Sequence, residues 1–162
     1  MANRDTPFGL RPLRHLIGGS IRSNEYLLAT DTTIFTGDLV RFASDTPGVI
    51  LATAGEFALG VFNGCRFTKS NGEFVYQAYW ASGENGGTAT DRFAIVYDDP
   101  NIIYLAQVDD DAVNFSASDI NKNADSLYLV GSTRTGQSNC EVDGSTLTTG
   151  TAQLRVLGLH GT

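Results

Sequence analysis

The chain has 162 residues, enough for one domain that buries about two-thirds of its unfolded surface. It holds 18 acidic against 11 basic residues, a net charge of −7, which disfavours binding to nucleic acid or to an anionic membrane. No apolar run reaches about 18 residues, and the N-terminus has no signal-peptide core, so neither a membrane-spanning helix nor export by that route is expected.

Residues 1–22 read as an extended basic arm, with 23–162 as a β-rich body. The arm carries Arg4, Arg11, Arg14 and Arg22 against Asp5, a net +3, while the remainder holds 7 basic and 17 acidic groups, a net −10. Pro7 and Pro12 favour extended backbone before them, and Gly9, Gly18 and Gly19 break any helical period. Phe8, Leu10, Leu13, Leu16 and Ile17 are more apolar anchors than a solvated tail needs, so the arm is expected to pack on its own body or on a neighbour.

Strand signals then come in series: "EYLLAT" (25–30), "TTIFTGDLVRFAS" (32–44) with a turn at Gly37-Asp38, the turn "DTPG" (45–48), "VILAT" and "FALGVFNGCRF". Asn71-Gly72 between two apolar runs predicts an antiparallel hairpin over 57–80. "ASGENGGTATD" (81–91) reads as a flexible loop. "RFAIVYDD" and "NIIYLAQVD" read as strands joined by a turn at Asp98-Asp99-Pro100-Asn101. Residues 116–125 suit one short helix capped by Ser116 or Ser118. "SLYLV", a polar loop from Gly131 to Asn139, and "TAQLRVLGL" close the chain, with Leu154, Val156 and Gly158 on one face. Lys, Glu and Gln, the builders of long surface helices, are scarce. The expectation is all-β: a small barrel or sandwich with an extended N-terminal arm and at most one short helix.

The two acidic groups that bracket 95–111 invite a catalytic reading. Asp98 and Asp99 stand at one end of a strand and Asp109, Asp110 and Asp111 at the other, about 30 Å away at 3.3 Å per residue. Catalytic carboxylate pairs sit about 5–10 Å apart, and three adjacent aspartates diverge instead of converging on a cation. Wet strand ends are the expectation. There is no G-x-S-x-G, H-E-x-x-H or G-K-[ST], and "GENGG" (83–87) lacks the strand-to-helix context of a phosphate loop. Cys65 and Cys140 form no C-x-x-C pair, and with His15 and His160 they have no ligand spacing, so free thiols and no zinc are expected. No catalytic residue, cofactor or metal is assigned, and Asn114-Phe115-Ser116 has no secretion context to make it a glycosylation site.

Phe74, Tyr76 and Trp80 share one parity and Val75, Gln77 and Tyr79 the other. Core or subunit packing is the expected use of these rings. The competing use is a carbohydrate-binding module built on Tyr76, Tyr79, Trp80 and the Asp109–Asp111 cluster.

"MANRDTPFGLRPLRH", "GVFNGCRFTKSNGEFVYQAYW", "VYDDPN" and "TAQLRVLGL" resemble the small capsid decoration, or cement, proteins of tailed double-stranded DNA bacteriophages. "TGDLV", "GVF" and "NGEFV" follow the order of strand signatures in other β-barrel capsid-associated proteins. The resemblance implies a non-enzymatic homotrimer on the outer surface of the virion capsid, assembled in the host cytoplasm and bridging major capsid proteins. Another virion part, such as a head-fibre base, is the nearest variant of that reading. Arg4, Phe8, Leu10, Arg11, Leu13 and Arg14 of the arm are the expected partner contacts.

Overall fold

The computed structural model describes residues 5–29, 32–82, 88–109 and 115–160. Its longest strand, Gly60–Thr68, is the axis of an antiparallel six-stranded sheet. In chain order the strands are β1 (Arg11–His15), β2 (Asn24–Leu27), β3 (Ile34–Phe35), β4 (Leu39–Phe42), β5 (Val49–Leu51), β6 (Gly60–Thr68) and β7 (Phe74–Gln77). They continue with β8 (Tyr79–Trp80), β9 (Thr90–Tyr97), β10 (Ile102–Leu105), β11 (Asn123–Ala124), β12 (Ser126–Leu127), β13 (Glu141–Val142) and β14 (Leu154–Arg155). The main sheet runs β2-β9-β6-β4-β5, with β7 also on β6, and four two-stranded pairs accompany it: β1-β10, β3-β8, β11-β14 and β12-β13.

The fold is all-β, and its sheet does not close into a barrel. Among the described residues its outer strands are joined by the isolated bridge of Leu28 to Val49, too little ladder to make a continuous wall. One core lies inside the curl: Ile34, Val40, Val49, Phe62, Phe67, Trp80, Ala94 and Val96. Phe62, Cys65 and Phe67 all reach it because the β6–β9 register shifts between Phe62 and Gly64. A bulge inserts one residue and so swaps the side on which later residues fall. A second core lies outside the sheet, where Leu10, Leu39, Ala52, Val61 and Cys140 pack together.

The hairpin at Asn71-Gly72 is present, β6 pairing β7 from Cys65 with Gln77 to Thr68 with Phe74. Its parity breaks at Ala78, where the chain bends between β7 and β8. Phe74 and Tyr76 therefore face solvent, while Trp80 is fully buried edge-on to Phe67 at 5.4 Å. Tyr79 stacks on Phe35 at 5.7 Å. Trp80 thus packs in the core and has no face to offer a sugar, so the carbohydrate-module alternative loses that ring.

β9 and β10 do not pair with each other. The Asp98–Asn101 turn instead sends β10 to the arm strand β1. The helix predicted over 116–125 shrinks to one 3₁₀ turn, Ala117–Asp119. Asp119 Oδ2 accepts from the Ser116 N–H and hydroxyl at 2.8 Å, and Lys122 Nζ donates to its Oδ1 at 2.8 Å, which holds its carboxyl down to about 2. Asn121 then takes a left-handed φ of 74° and the chain enters β11, so no second turn forms. A further 3₁₀ turn spans Gly144–Thr146. Of the loop expected over 81–91, residues 83–87 lie outside the described residues, as do Asn114, Asp110 and Asp111, while Thr90 and Asp91 already belong to β9.

Gly60 marks the tightest crossing of the sheet. A Cβ there would lie 2.1 Å from the Tyr97 carbonyl oxygen, a backbone group that cannot swing away. Gly60→Ala is expected to cost about 3 kcal/mol or more, read as a lowered urea midpoint. Gly158→Ala, which meets nothing within 4 Å, should stay within about 0.5 kcal/mol of the parent.

Candidate functional site

The arm is a strap sewn to the body at three places. At its start Gly9 crosses Gly37 backbone to backbone. A Cβ on Gly9 would meet Ser138 Cβ at 2.8 Å and Gly37 Cα at 3.0 Å, and the residue's φ of +71° also favours glycine. Leu10 N–H donates to the Gly37 carbonyl at 3.0 Å, and the Leu10 side chain fills the second core.

In the middle, β1 pairs antiparallel with β10, and Pro12 faces Tyr104. The guanidinium of Arg11 lies 4.6 Å over the Phe8 ring and donates to Gln137 Oε1 at 3.2 Å. The register shifts between Pro12 and Arg14. Leu13 is the residue left over by that bulge, and it stands half-exposed.

At the far end His15 faces Ile102, and its Nε2 lies 2.9 Å from Asp99 Oδ2. Asp99 also accepts from the Asn101 N–H at 2.8 Å and side-chain amide at 3.0 Å. The Asn101 N–H first, then His15, hold this carboxyl below the ordinary aspartate range. Leu16 N–H donates to the Asn101 carbonyl at 2.7 Å.

The predicted contact residues thus divide. Leu10 is buried in the chain's own core, and Phe8 and Arg11 are engaged on it. Leu13 and Arg14 remain outward, and Leu16 and Ile17 join them, Ile17 at 79% exposure. Arg4 lies outside the described residues. The outward strip is therefore Leu13, Arg14, Leu16 and Ile17, apolar with one guanidinium. A cavity of about 50 Å³ beneath the strap, lined by Phe8, Leu10, Pro12, Gly37, Val61 and Tyr97, is too small for a ring the size of benzene, which occupies cavities of about 150 Å³.

The wet-end reading of the acidic groups is corrected at Asp109, while Asp98 and Asp99 are half-exposed and Asp110 and Asp111 lie outside the described residues. Asp109 is buried, and its Oδ1 accepts the Gly144 N–H at 2.8 Å, the first N–H of the second 3₁₀ turn, whose N-cap is Asp143. Asp98 accepts from Asn24 Nδ2 at 2.9 Å and from the Tyr26 hydroxyl. Burial acts to raise its carboxyl, but those bonds bring it below the ordinary range. Asp98, Asp99 and Asp109 each serve the fold as an acceptor. Among the described residues no three His, Cys, Asp or Glu side chains are placed to hold a metal ion. Cys65 and Cys140 are free and buried, their thiols pushed up to about 12 by burial, far from the thiolate state that reacts.

Sequence reading missed Asp38, which it placed in an ordinary turn. The residue is fully buried where the strap crosses the sheet. Its Oδ2 accepts the Phe35 N–H at 2.8 Å, its Oδ1 accepts the Ser138 hydroxyl, and Ser138 Oγ in turn accepts the Cys140 N–H at 2.7 Å. The available signal was an acid wedged into the apolar run "IFTGDLV".

Compared with known proteins, the chain matches no protein-family model, no curated protein and no solved structure.

Burial raises Asp38 to about 6 from an ordinary 3.8, against the pull of its hydrogen bonds. Between those values the folded state holds a proton that the unfolded chain releases, so this group's contribution is fully present below pH 3.8 and lost as pH rises through 6. The stability difference between the parent and Asp38→Asn should therefore shift toward the parent on acidification from pH 7 to pH 4, by on the order of 2–3 kcal/mol. Subtracting the variant removes the opposite trend of the depressed carboxylates such as Asp98 and Asp99. Urea titrations at several pH values would show it, and a flat or reversed difference would refute it.

Proposed function

We propose that the chain is a non-enzymatic virion structural protein that binds the outer surface of a phage head as a homotrimer and ties neighbouring major capsid proteins together. The observation that carries this reading is the strap: a basic N-terminal segment fixed by its inner side to the body, with Leu13, Arg14, Leu16 and Ile17 turned outward. A strip fixed in advance in this way loses little conformational freedom on docking. The resemblance to capsid decoration proteins supplies the identity of the partner. An Arg guanidinium is a fork that fits carboxylates, so Arg14 suits an acidic site on the shell.

Chemistry is not required for such a role. Reinforcing a filled shell needs added contacts between subunits, and several weak ones multiply when one oligomer engages several sites. The competing carbohydrate-module reading has lost its Trp80 to the core.

Removing the whole arm is a poor test, because it would strip Leu10 from the second core. The paired substitution Leu16→Asp and Ile17→Asp leaves the sewn side intact. Heads of the parent phage assembled without this chain should capture the wild-type protein on co-sedimentation and bind the double variant at least about tenfold more weakly. Equal binding by both proteins, or no binding by the wild type, would count against the proposal.

A further inference from the structure

The strap lies as a cover on a buried acid. Gly9 rests on Ser138 and Gly37, where an added Cβ would meet Ser138 Cβ at 2.8 Å and the Gly37 carbonyl oxygen at 3.1 Å. Ser138 in turn donates its hydroxyl to the fully buried Asp38, whose other donor is the Phe35 N–H. Among the described residues Asp38 forms no ion pair with a Lys, Arg or His. Arg11, the strap's cation at this crossing, is turned to Gln137 and to the Phe8 ring.

The other titratable groups at the crossing bring no positive charge. Tyr128 and Cys140 both lie close enough to feel Asp38, and burial foremost pushes the phenol up and the thiol up to about 12, so both stay neutral from pH 4 to pH 7. Glu141 of β13 borders Cys140 and is an acid as well. At the far end of the strap His15 and Asp99 form a pair of their own at 2.9 Å. An ionised Asp38 is therefore a buried charge supported by two hydrogen bonds and no cation, and water solvates it better than the crossing does.

The strap is the weakest wall of that site. It is held by the Leu10 N–H bond to Gly37, by the Leu10 side chain in the second core and by the β1–β10 ladder. None of these belongs to the main sheet β2-β9-β6-β4-β5, so a terminal segment can lift while the sheet stays paired.

We propose that Asp38 is a pH latch on the strap: with the carboxyl protonated the strap stays down, and with it ionised the segment through Leu10 lifts more often and admits water to the crossing. Burial raises the closed-state group to about 6, and lifting returns it toward the ordinary 3.8. Between those values the closed state holds the extra proton, so acid favours closure. The lifting constant climbs by up to about tenfold per pH unit across that window and levels off above it, a total on the order of 50-fold from pH 4 to pH 7. The latch works within one chain and needs no partner, so it stands apart from head binding.

Amide hydrogen exchange on the full chain, corrected for the intrinsic pH dependence of exchange, tests it. The Leu10 amide should exchange faster than that of Ala94, which sits between β2 and β6 in the sheet. Its opening constant should rise on the order of 50-fold from pH 4 to pH 7 and level off where the ¹³C shift of the Asp38 carboxyl titrates in the same sample. In Asp38→Asn the rise should vanish, while Glu141, His15 and Asp99 still titrate. Leu10 exchange that tracks Ala94 at every pH, an opening constant that stays flat in the wild type, or the same rise in Asp38→Asn overturns the latch. If that variant does not fold, a wild-type opening curve that fails to follow the Asp38 carboxyl shift overturns it equally.

Discussion

Four segments meet at one buried carboxylate. Asp38 accepts from Phe35 and Ser138, its carbonyl accepts from Phe62, and the neighbouring Gly37 receives Leu10 of the strap. The strap, the β3–β4 turn, the central strand and the 137–140 segment are thus tied within a few residues of each other. No side chain of that size in an apolar site would satisfy these donors as fully. A buried N–H or hydroxyl left without an acceptor costs about 1–3 kcal/mol, and two depend on this carboxylate, the Phe35 N–H and the Ser138 hydroxyl. The cost is that the carboxylate is held away from water, which is why its proton is bound more tightly than usual.

The same crossing explains why the strap belongs to the body. Gly9 and Gly37 allow two backbones to approach closer than any Cβ would permit, and the approach places Leu10 among Leu39, Val61 and Cys140. β10 is thereby drawn away from β9, its neighbour in sequence, to pair with β1. Sequence-adjacent strands usually pair. Here the turn at Asp98–Asn101 is occupied otherwise: Asp98 binds Asn24 and Tyr26 of β2, and Asp99 binds His15 of the strap. The two aspartates act as clips on opposite sides of one turn.

Local patterns were legible in the sequence where one physical rule decided the outcome. Asn71-Gly72 specified the hairpin, and the alternation around it gave β6 and β7. The scarcity of helix formers indicated an all-β chain. What stayed hidden depends on residues far apart in sequence. Trp80 changes sides because of a bend at Ala78 that no residue type announces, and β6 changes parity at a bulge beside Gly64. Asp109 is polar and flanked by acids, yet it is buried because Gly144, 35 residues later, supplies an N–H. Solvent exposure is the ordinary expectation for aspartate, and overturning it requires knowing the donor. The arm's apolar residues suggested packing, but which of them turn inward was fixed only by pairing with β10.

The distribution of satisfied and unsatisfied surface follows from this architecture. Where charged side chains of β6 and β2 face outward they find each other within the sheet, Arg66 reaching over the Phe93 ring of the intervening β9 to Glu25. Among the described residues the strap strand β1 has a ladder partner along one edge, β10. Arg11 reaches Gln137 across the crossing, while Leu13, displaced by the bulge, and Leu16 and Ile17, past the end of the ladder, have no strand beside them to fold against. A two-stranded ribbon cannot bury both of its faces on one body, so its outer face stays exposed. That face is apolar at three of its four positions, so water is a poor solvent for it and another protein surface a better one.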